Sequence, residues 1–137
     1  MREILFRGKR LDNGEWVEGG YKHEKVGEYL TAVFIIEHLT SEVWENHRVD
    51  PATVGQYTGL TDKNDVKIFE RDIIRCHTGR IMVVRFGQHY DEENEAWAYG
   101  WFVSDDEGDL YLGEEWSGHE VIGNIHDNPE LLGGDES

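Results

Sequence analysis

Turn-forming residues divide this chain into short segments rich in aromatic and β-branched side chains. Its 137 residues include 16 Gly and only 2 Pro, together with 5 Trp, 6 Tyr and 5 Phe. Asn13-Gly14 and Thr78-Gly79 each lie between two such segments, and Asn-Gly suits the positive φ of a tight hairpin turn. Turn signals spaced roughly 8–12 residues apart predict several short antiparallel strands rather than long helices.

The clearest predicted hairpin joins residues 73–77 to residues 81–86. Residues 38–48 are ambiguous, because Thr40-Ser41-Glu42 could cap a short helix and the segment could equally form a strand. Apolar residues at strand positions of the second half predict a common core. Its expected members are Ile73, Ile74, Val83, Phe86, Val121 and Ile125.

The predicted fold class is mainly β with little helix. Asp50-Pro51 marks a boundary, since the residue before Pro is steered away from helix. We therefore expect an N-terminal β-hairpin region over residues 1–50 and a β-barrel domain over residues 51–127. The run from Glu70 to Ile74, followed by Gly79 and a β-branched strand, looks like the start of a small SH3-like barrel. Residues 128–137 are expected to form a short helical turn and a flexible acidic tail.

The charge is strongly acidic and unevenly distributed. The net charge is −16, Arg85 is the last basic residue, and residues 86–137 contain 15 Asp or Glu. Such a surface repels phosphate backbones, so direct nucleic-acid binding is not expected. Two interpretations stay open: the acids keep the protein soluble, or they form a face that binds a basic protein or imitates DNA.

Residues 97–103 carry the candidate interaction surface. In a strand, Trp97, Tyr99 and Trp101 fall on one face. These aromatics could belong to the core, contact a protein or peptide, or stack on bases. Acidic residues in the flanking loops complete the candidate surface. They are Glu92, Glu93, Asp105 and Asp106.

No catalytic residue, cofactor or metal site is predicted. Cys76 is the only cysteine, which excludes an intramolecular disulfide and a Cys-based zinc site. The seven histidines are dispersed without metal-ligand spacing, and the acidic loop after His89 does not match a calcium-binding loop. Glu70 and Asp72 could form an acid–base pair, but Asp72 is better suited to accept backbone N–H groups in a turn. We therefore expect a protein that is not an enzyme.

The N-terminus has no apolar segment typical of a signal peptide, and no apolar run approaches the ~20 residues that cross a membrane. We expect a protein of the bacterial cytoplasm that does not bind membranes.

Three phrases of the sequence resemble the YopX family, small proteins encoded by bacteriophages and prophages. Residues 6–19 resemble the family's opening hairpin, and residues 53–74 and 121–132 resemble its two strongest phrases. The resemblance implies a phage or prophage origin and an SH3-like barrel. It implies no activity and no site residues, because the family has no assigned function.

Two positions depart from the family pattern, which usually has Gly where this chain has Asp65 and Arg71. Arg tolerates a positive φ poorly. Arg71 is therefore expected either to take an ordinary negative φ or to lie in a locally different turn.

These observations favour a non-enzymatic, intracellular protein-interaction module. The partner is expected to be another protein or a second copy of the chain, with the oligomeric state left open. One alternative is an acidic DNA-mimic inhibitor of a DNA-acting protein of host or phage, and another is an unrecognised enzyme.

Overall fold

The structure is a computed structural model that describes residues 4–28, 30–76, 78–91, 95–105, 108–111 and 118–132. In residues 89–91 and 108–111 it describes the backbone alone. The described residues form eleven strands and two short 3-10 helices, so the predicted mainly β fold is confirmed. The strands are β1 (Phe6–Lys9), β2 (Trp16–Val26), β3 (Leu30–His38), β4 (Trp44–Val49), β5 (Gly55–Thr61), β6 (Lys67–Phe69), β7 (Asp72–Arg75), β8 (Ile81–Asp91), β9 (Ala96–Asp105), β10 (Gly108–Tyr111) and β11 (Glu120–Asn124). The helices span Pro51–Thr53 and Pro129–Leu132.

The strands form two antiparallel sheets, in the orders β4-β3-β2-β1-β5-β6 and β10-β9-β8-β7-β11. Closing a barrel requires the outer strands of a sheet to pair with each other. Among the described residues neither sheet is closed, and the predicted SH3-like barrel is not confirmed. The chain divides into two compact units, residues 1–57 and 58–137, and the boundary lies within β5.

The first unit begins with the predicted hairpin. β1 pairs with β2, and Gly14 takes the positive φ of 72° that its turn requires. The ambiguous segment after β3 forms a turn and then β4. The Thr40 hydroxyl accepts hydrogen bonds from the backbone N–H groups of Glu42 and Val43, which competes with helix formation. The core of this unit contains Val17, Val33, Ile35 and Val49.

The second unit contains the predicted hairpin of β7 and β8, in which Ile74 lies opposite Met82. Gly79 closes its turn with a φ of 95°. Ile73, Ile74 and Val83 are buried. They do not form one common core as predicted, because Ile74 belongs to the main cluster, with Val121 packed against it, whereas Ile73 and its partner Val83 lie on the other face of the sheet. The prediction for Phe86 is wrong, because this side chain is exposed. The main cluster consists of Ile68, Ile74, Cys76, Met82, Val84, Trp101 and Val103.

Asp65 and Arg71, the two residues that replace glycine of the family pattern, both adopt a left-handed backbone conformation. Their φ angles are 63° and 73°, so Arg71 does not take an ordinary negative φ. The Arg71 N–H donates to the Val84 carbonyl at 2.8 Å, and its carbonyl accepts from the Ile125 N–H at 3.1 Å. These tertiary hydrogen bonds hold the turn in a conformation that the side chain disfavours.

The Asp62 carboxylate joins the turn after β5 to β11. One oxygen accepts the N–H groups of Asn64 and Val66 at 2.8 and 2.9 Å, and the other accepts the Val121 N–H at 2.9 Å. Burial alone would raise the pKa of this carboxyl group. The three N–H donors, with a smaller contribution from Lys63, outweigh burial and lower the pKa below its usual value.

Arg71→Gly should stabilise the protein relative to Arg71→Ala by about 1 kcal/mol, because alanine keeps the Cβ that disfavours a positive φ. Both variants lose the guanidinium group and its 3.8 Å ion pair with Glu70, so the comparison isolates the backbone term. Denaturant unfolding measures the difference. Equal free energies of unfolding for the two variants would show that position 71 carries no strain.

Asp62→Asn should destabilise the protein by about 1–3 kcal/mol near neutral pH, because an amide group cannot accept all three N–H groups. A carboxyl group whose pKa is lowered by folding stabilises the protein above its unfolded-state pKa of about 3.9. That contribution disappears as the pH falls through the folded-state pKa. Unfolding measured from pH 7 downward should therefore show the deficit shrinking below about pH 4. Asp65→Asn, at an exposed position of the same turn, is the matched control, because it also replaces a carboxylate with an amide but keeps the three hydrogen bonds of Asp62.

Candidate interaction surface

The β8–β9 hairpin is the longest strand pair of the second unit, and its register determines which side chains share a face. Val84 lies opposite Val103, Phe86 opposite Trp101, and Gln88 opposite Tyr99. Because directly opposite residues of an antiparallel pair point to the same side, these positions form one continuous face.

Burial changes along this face from one end to the other. Val84 and Val103 are fully buried, and Trp101 is only 7% exposed. Further along β9, Tyr99 is 76% and Trp97 is 67% exposed. The core face of the hairpin therefore continues into an exposed set of aromatic side chains.

Phe86 connects the buried and exposed parts of the face. Its ring meets Trp101 at a centroid distance of 4.7 Å and Tyr99 at 5.2 Å, both edge to face. Such aromatic pairs contribute about 0.5–1.5 kcal/mol beyond their burial. We call Phe86, Trp97 and Tyr99 the aromatic surface.

The three aromatics predicted from sequence therefore separate into two groups. Trp97 and Tyr99 lie on the aromatic surface, whereas Trp101 belongs to the core cluster and supports the surface from below. Phe86, predicted from sequence to lie in the core, lies beside them on the exposed part of the face. The strands on either side of the acidic loop pair as a hairpin. In that register Tyr90 lies opposite Trp97, and Phe86 therefore lies opposite Trp101.

Of the four predicted acids, the structure describes only Asp105. Asp105 accepts two hydrogen bonds from the Arg80 guanidinium, at 2.7 and 2.9 Å, so its charge is largely neutralised. Glu92, Glu93 and Asp106 lie outside the described residues. Their participation in the surface stays a prediction.

The thiol of Cys76 and the carboxylate of Asp72 are buried and contribute to packing and hydrogen bonding within the fold. Cys76 is buried with its sulfur 3.6 Å from that of Met82, and burial raises the pKa of its thiol. Asp72 is also buried and accepts the Phe69 N–H at 2.7 Å, the turn role expected from sequence.

Within the described parts of the chain, no helix is long and apolar enough to span a membrane.

Comparisons with known proteins identify a family and a fold. The model of the family described as YopX protein matches residues 5–133, which confirms the resemblance seen in the sequence. The crystal structure of protein EF1440 from Enterococcus faecalis is similar, with a TM-score of 0.53 and 22% sequence identity over 96% of this chain and 99% of that chain. At this identity the likeness shows the fold alone. A search of curated proteins finds no match.

Three substitutions should distinguish the buried aromatic from the exposed ones. Trp101→Ala should lower the free energy of unfolding by about 3–5 kcal/mol, because it leaves a cavity in the core. Trp97→Ala and Tyr99→Ala should each change it by less than about 1 kcal/mol. Denaturant unfolding monitored by circular dichroism measures all three. A loss at Trp97 or Tyr99 as large as that at Trp101 would contradict the assignment of an exposed surface.

Proposed function

This chain belongs to the YopX family, and we propose that it is a non-enzymatic protein-interaction module. In this proposal it is a phage or prophage product that acts in the bacterial cytoplasm. The observation that carries the proposal is the aromatic surface, where the exposed rings of Trp97 and Tyr99 continue the core face of β8 and β9.

Aromatic residues in this arrangement have the properties of interface hot spots. Trp and Tyr bury a large area on binding and lose little conformational entropy, since each has two side-chain torsions. The Phe86 ring, packed against Trp101 and Tyr99, gives the surface a rigid base. A prearranged surface binds more tightly because less ordering is required on association.

The acidic composition favours a particular kind of partner. With a net charge of −16, association with a protein that surrounds an apolar groove with Lys and Arg should be faster than association with an acidic one. A second copy of the chain would have to overcome like-charge repulsion. We therefore favour a basic partner protein over self-association.

The alternative of an acidic DNA-mimic inhibitor rests on the same net charge. It requires a row of uncompensated carboxylates, whereas Asp105 is paired with Arg80 at 2.7 Å. The alternative of an unrecognised enzyme requires convergent reactive groups in a pocket. The buried Asp72 accepts a backbone N–H and the buried Cys76 packs against Met82, so neither residue supports this alternative.

The proposal predicts that partner binding depends on the exposed rings of the aromatic surface and not on exposed rings elsewhere. The double variant Trp97→Ser/Tyr99→Ser should lose a partner captured from host lysate, with or without phage infection, and its affinity should fall at least about tenfold. The matched control is Trp44→Ser, which removes an exposed Trp from β4 in the other unit and should leave binding unchanged. Capture followed by biolayer interferometry measures both.

The side chains on which binding depends, rather than salt alone, separate the module from the inhibitor. Steering by many carboxylates is screened within ~10 Å at 0.1 M salt, so an acidic mimic should associate much more slowly as salt rises. Neutralising Glu92, Glu93, Asp105 and Asp106 together should then weaken it. If the affinity falls when these acids are neutralised but is unchanged by the Trp97 and Tyr99 substitutions, the aromatic surface is not the binding site and the inhibitor hypothesis is favoured.

A further inference from the structure

Three potential metal ligands converge at one end of the β3–β4 pair. The His47 Nε2 atom lies 2.9 Å from a carboxylate oxygen of Glu37 and 3.5 Å from one of Glu45. The three ligand atoms all lie within 4.8 Å of one another. Two carboxylates and one imidazole thus point toward a common centre.

Strand register produces this convergence. Glu37 lies directly opposite Glu45, and Ile35 lies opposite His47 two residues away. All four side chains therefore share one face. The next pair on that face, Val33 and Val49, lies in the core of the first unit.

The packing holds the imidazole and leaves the carboxylates accessible. His47 is only 8% exposed, because it lies beside the apolar end of the face. Both glutamates retain exposed surface, 42% for Glu37 and 57% for Glu45. The buried imidazole is a ligand held in place by packing. The two carboxylates reach solvent, so an ion can enter the site between them.

We propose that Glu37, Glu45 and His47 form a binding site for a divalent first-row transition metal, with Zn²⁺ as its simplest occupant. Metal–ligand bonds of about 2.1 Å in tetrahedral geometry place two ligand atoms roughly 3.4 Å apart. The 3.5 Å from Nε2 to Glu45 matches this separation, and the 2.9 Å hydrogen bond to Glu37 would have to lengthen when the metal replaces its proton. The set of one imidazole and two carboxylates suits zinc, whereas Ca²⁺ and Mg²⁺ prefer oxygen ligands throughout. Three protein ligands leave a fourth position for water.

The charges agree with a divalent ion. Two carboxylates supply two negative charges, and the nearby Arg10 guanidinium is already bonded to Asp12 at 2.7 and 3.0 Å. A carboxylate only accepts hydrogen bonds, so the contact between His47 and Glu37 requires a proton on Nε2. Zinc binding at Nε2 replaces this proton, which passes to Nδ1 or to solvent.

The test is calorimetric titration of Zn²⁺ into the chelator-treated, full-length protein. One equivalent should bind, and Glu45→Gln, Glu37→Gln and His47→Gln should each weaken binding at least about tenfold. Glu45→Gln is the decisive variant, because this exposed side chain can change without disturbing the core. Its fold is checked by circular dichroism.

Matched controls on the same strands and turn exclude general histidine or carboxylate binding. His38→Gln removes the exposed histidine next to Glu37, and Glu42→Gln removes an exposed acid from the β3–β4 turn; both should bind Zn²⁺ as the unaltered protein does. Co²⁺ should give a visible absorption band that Glu45→Gln abolishes. The proposal is overturned if no equivalent of Zn²⁺ binds at millimolar concentration, or if folded Glu45→Gln and Glu37→Gln bind it undiminished.

Discussion

Side-chain alternation along paired strands decides what each unit of this protein buries and what it exposes. In the second unit, the face that contributes Val84 and Val103 to the core continues through Trp101 to Tyr99. A change of register by one residue would move Val84 and Val103 off this face, and Tyr99 and Trp97 with them. The core therefore determines that the aromatic rings lie together on one side, and the aromatic surface follows from the same pairing that stabilises the hairpin.

The first unit follows the same rule with a different chemical result. Its core face begins with Val33 and Val49, continues through His47, and ends with Glu37 opposite Glu45. Where the apolar face of β8 and β9 ends in aromatic rings, this one ends in groups that bind ions. In both cases the residue at the edge of the core is buried and contacts exposed groups beside it: Trp101 contacts Phe86, and His47 contacts Glu37 and Glu45.

Turns and hairpins are predictable from the sequence because they depend on local signals. Side-chain exposure and barrel closure are not, because they depend on strand register and on pairing between distant strands. Turn residues located the hairpins because Gly14 and Gly79 take positive φ angles within their own turns. Phe86 was misplaced because its exposure depends on pairing with Trp101, fifteen residues along the chain. Linear metal-binding motifs do not include His47, because its carboxylate neighbours come from two strands. Barrel closure is likewise non-local, and strand patterns alone do not determine it.

Arg71 shows how tertiary contacts overrule a local preference. Its left-handed conformation is disfavoured for a side chain with a Cβ, yet its N–H and carbonyl are both bonded, to Val84 and Ile125. The Asp62 carboxylate binds the same C-terminal region through the Val121 N–H. The second unit is thus held by backbone hydrogen bonds at two turns, while the rings proposed to bind a partner project from β8 and β9. The backbone hydrogen bonds at these two turns and the exposed rings of Trp97 and Tyr99 therefore involve different residues, whereas Trp101 contributes to both the core and the aromatic surface.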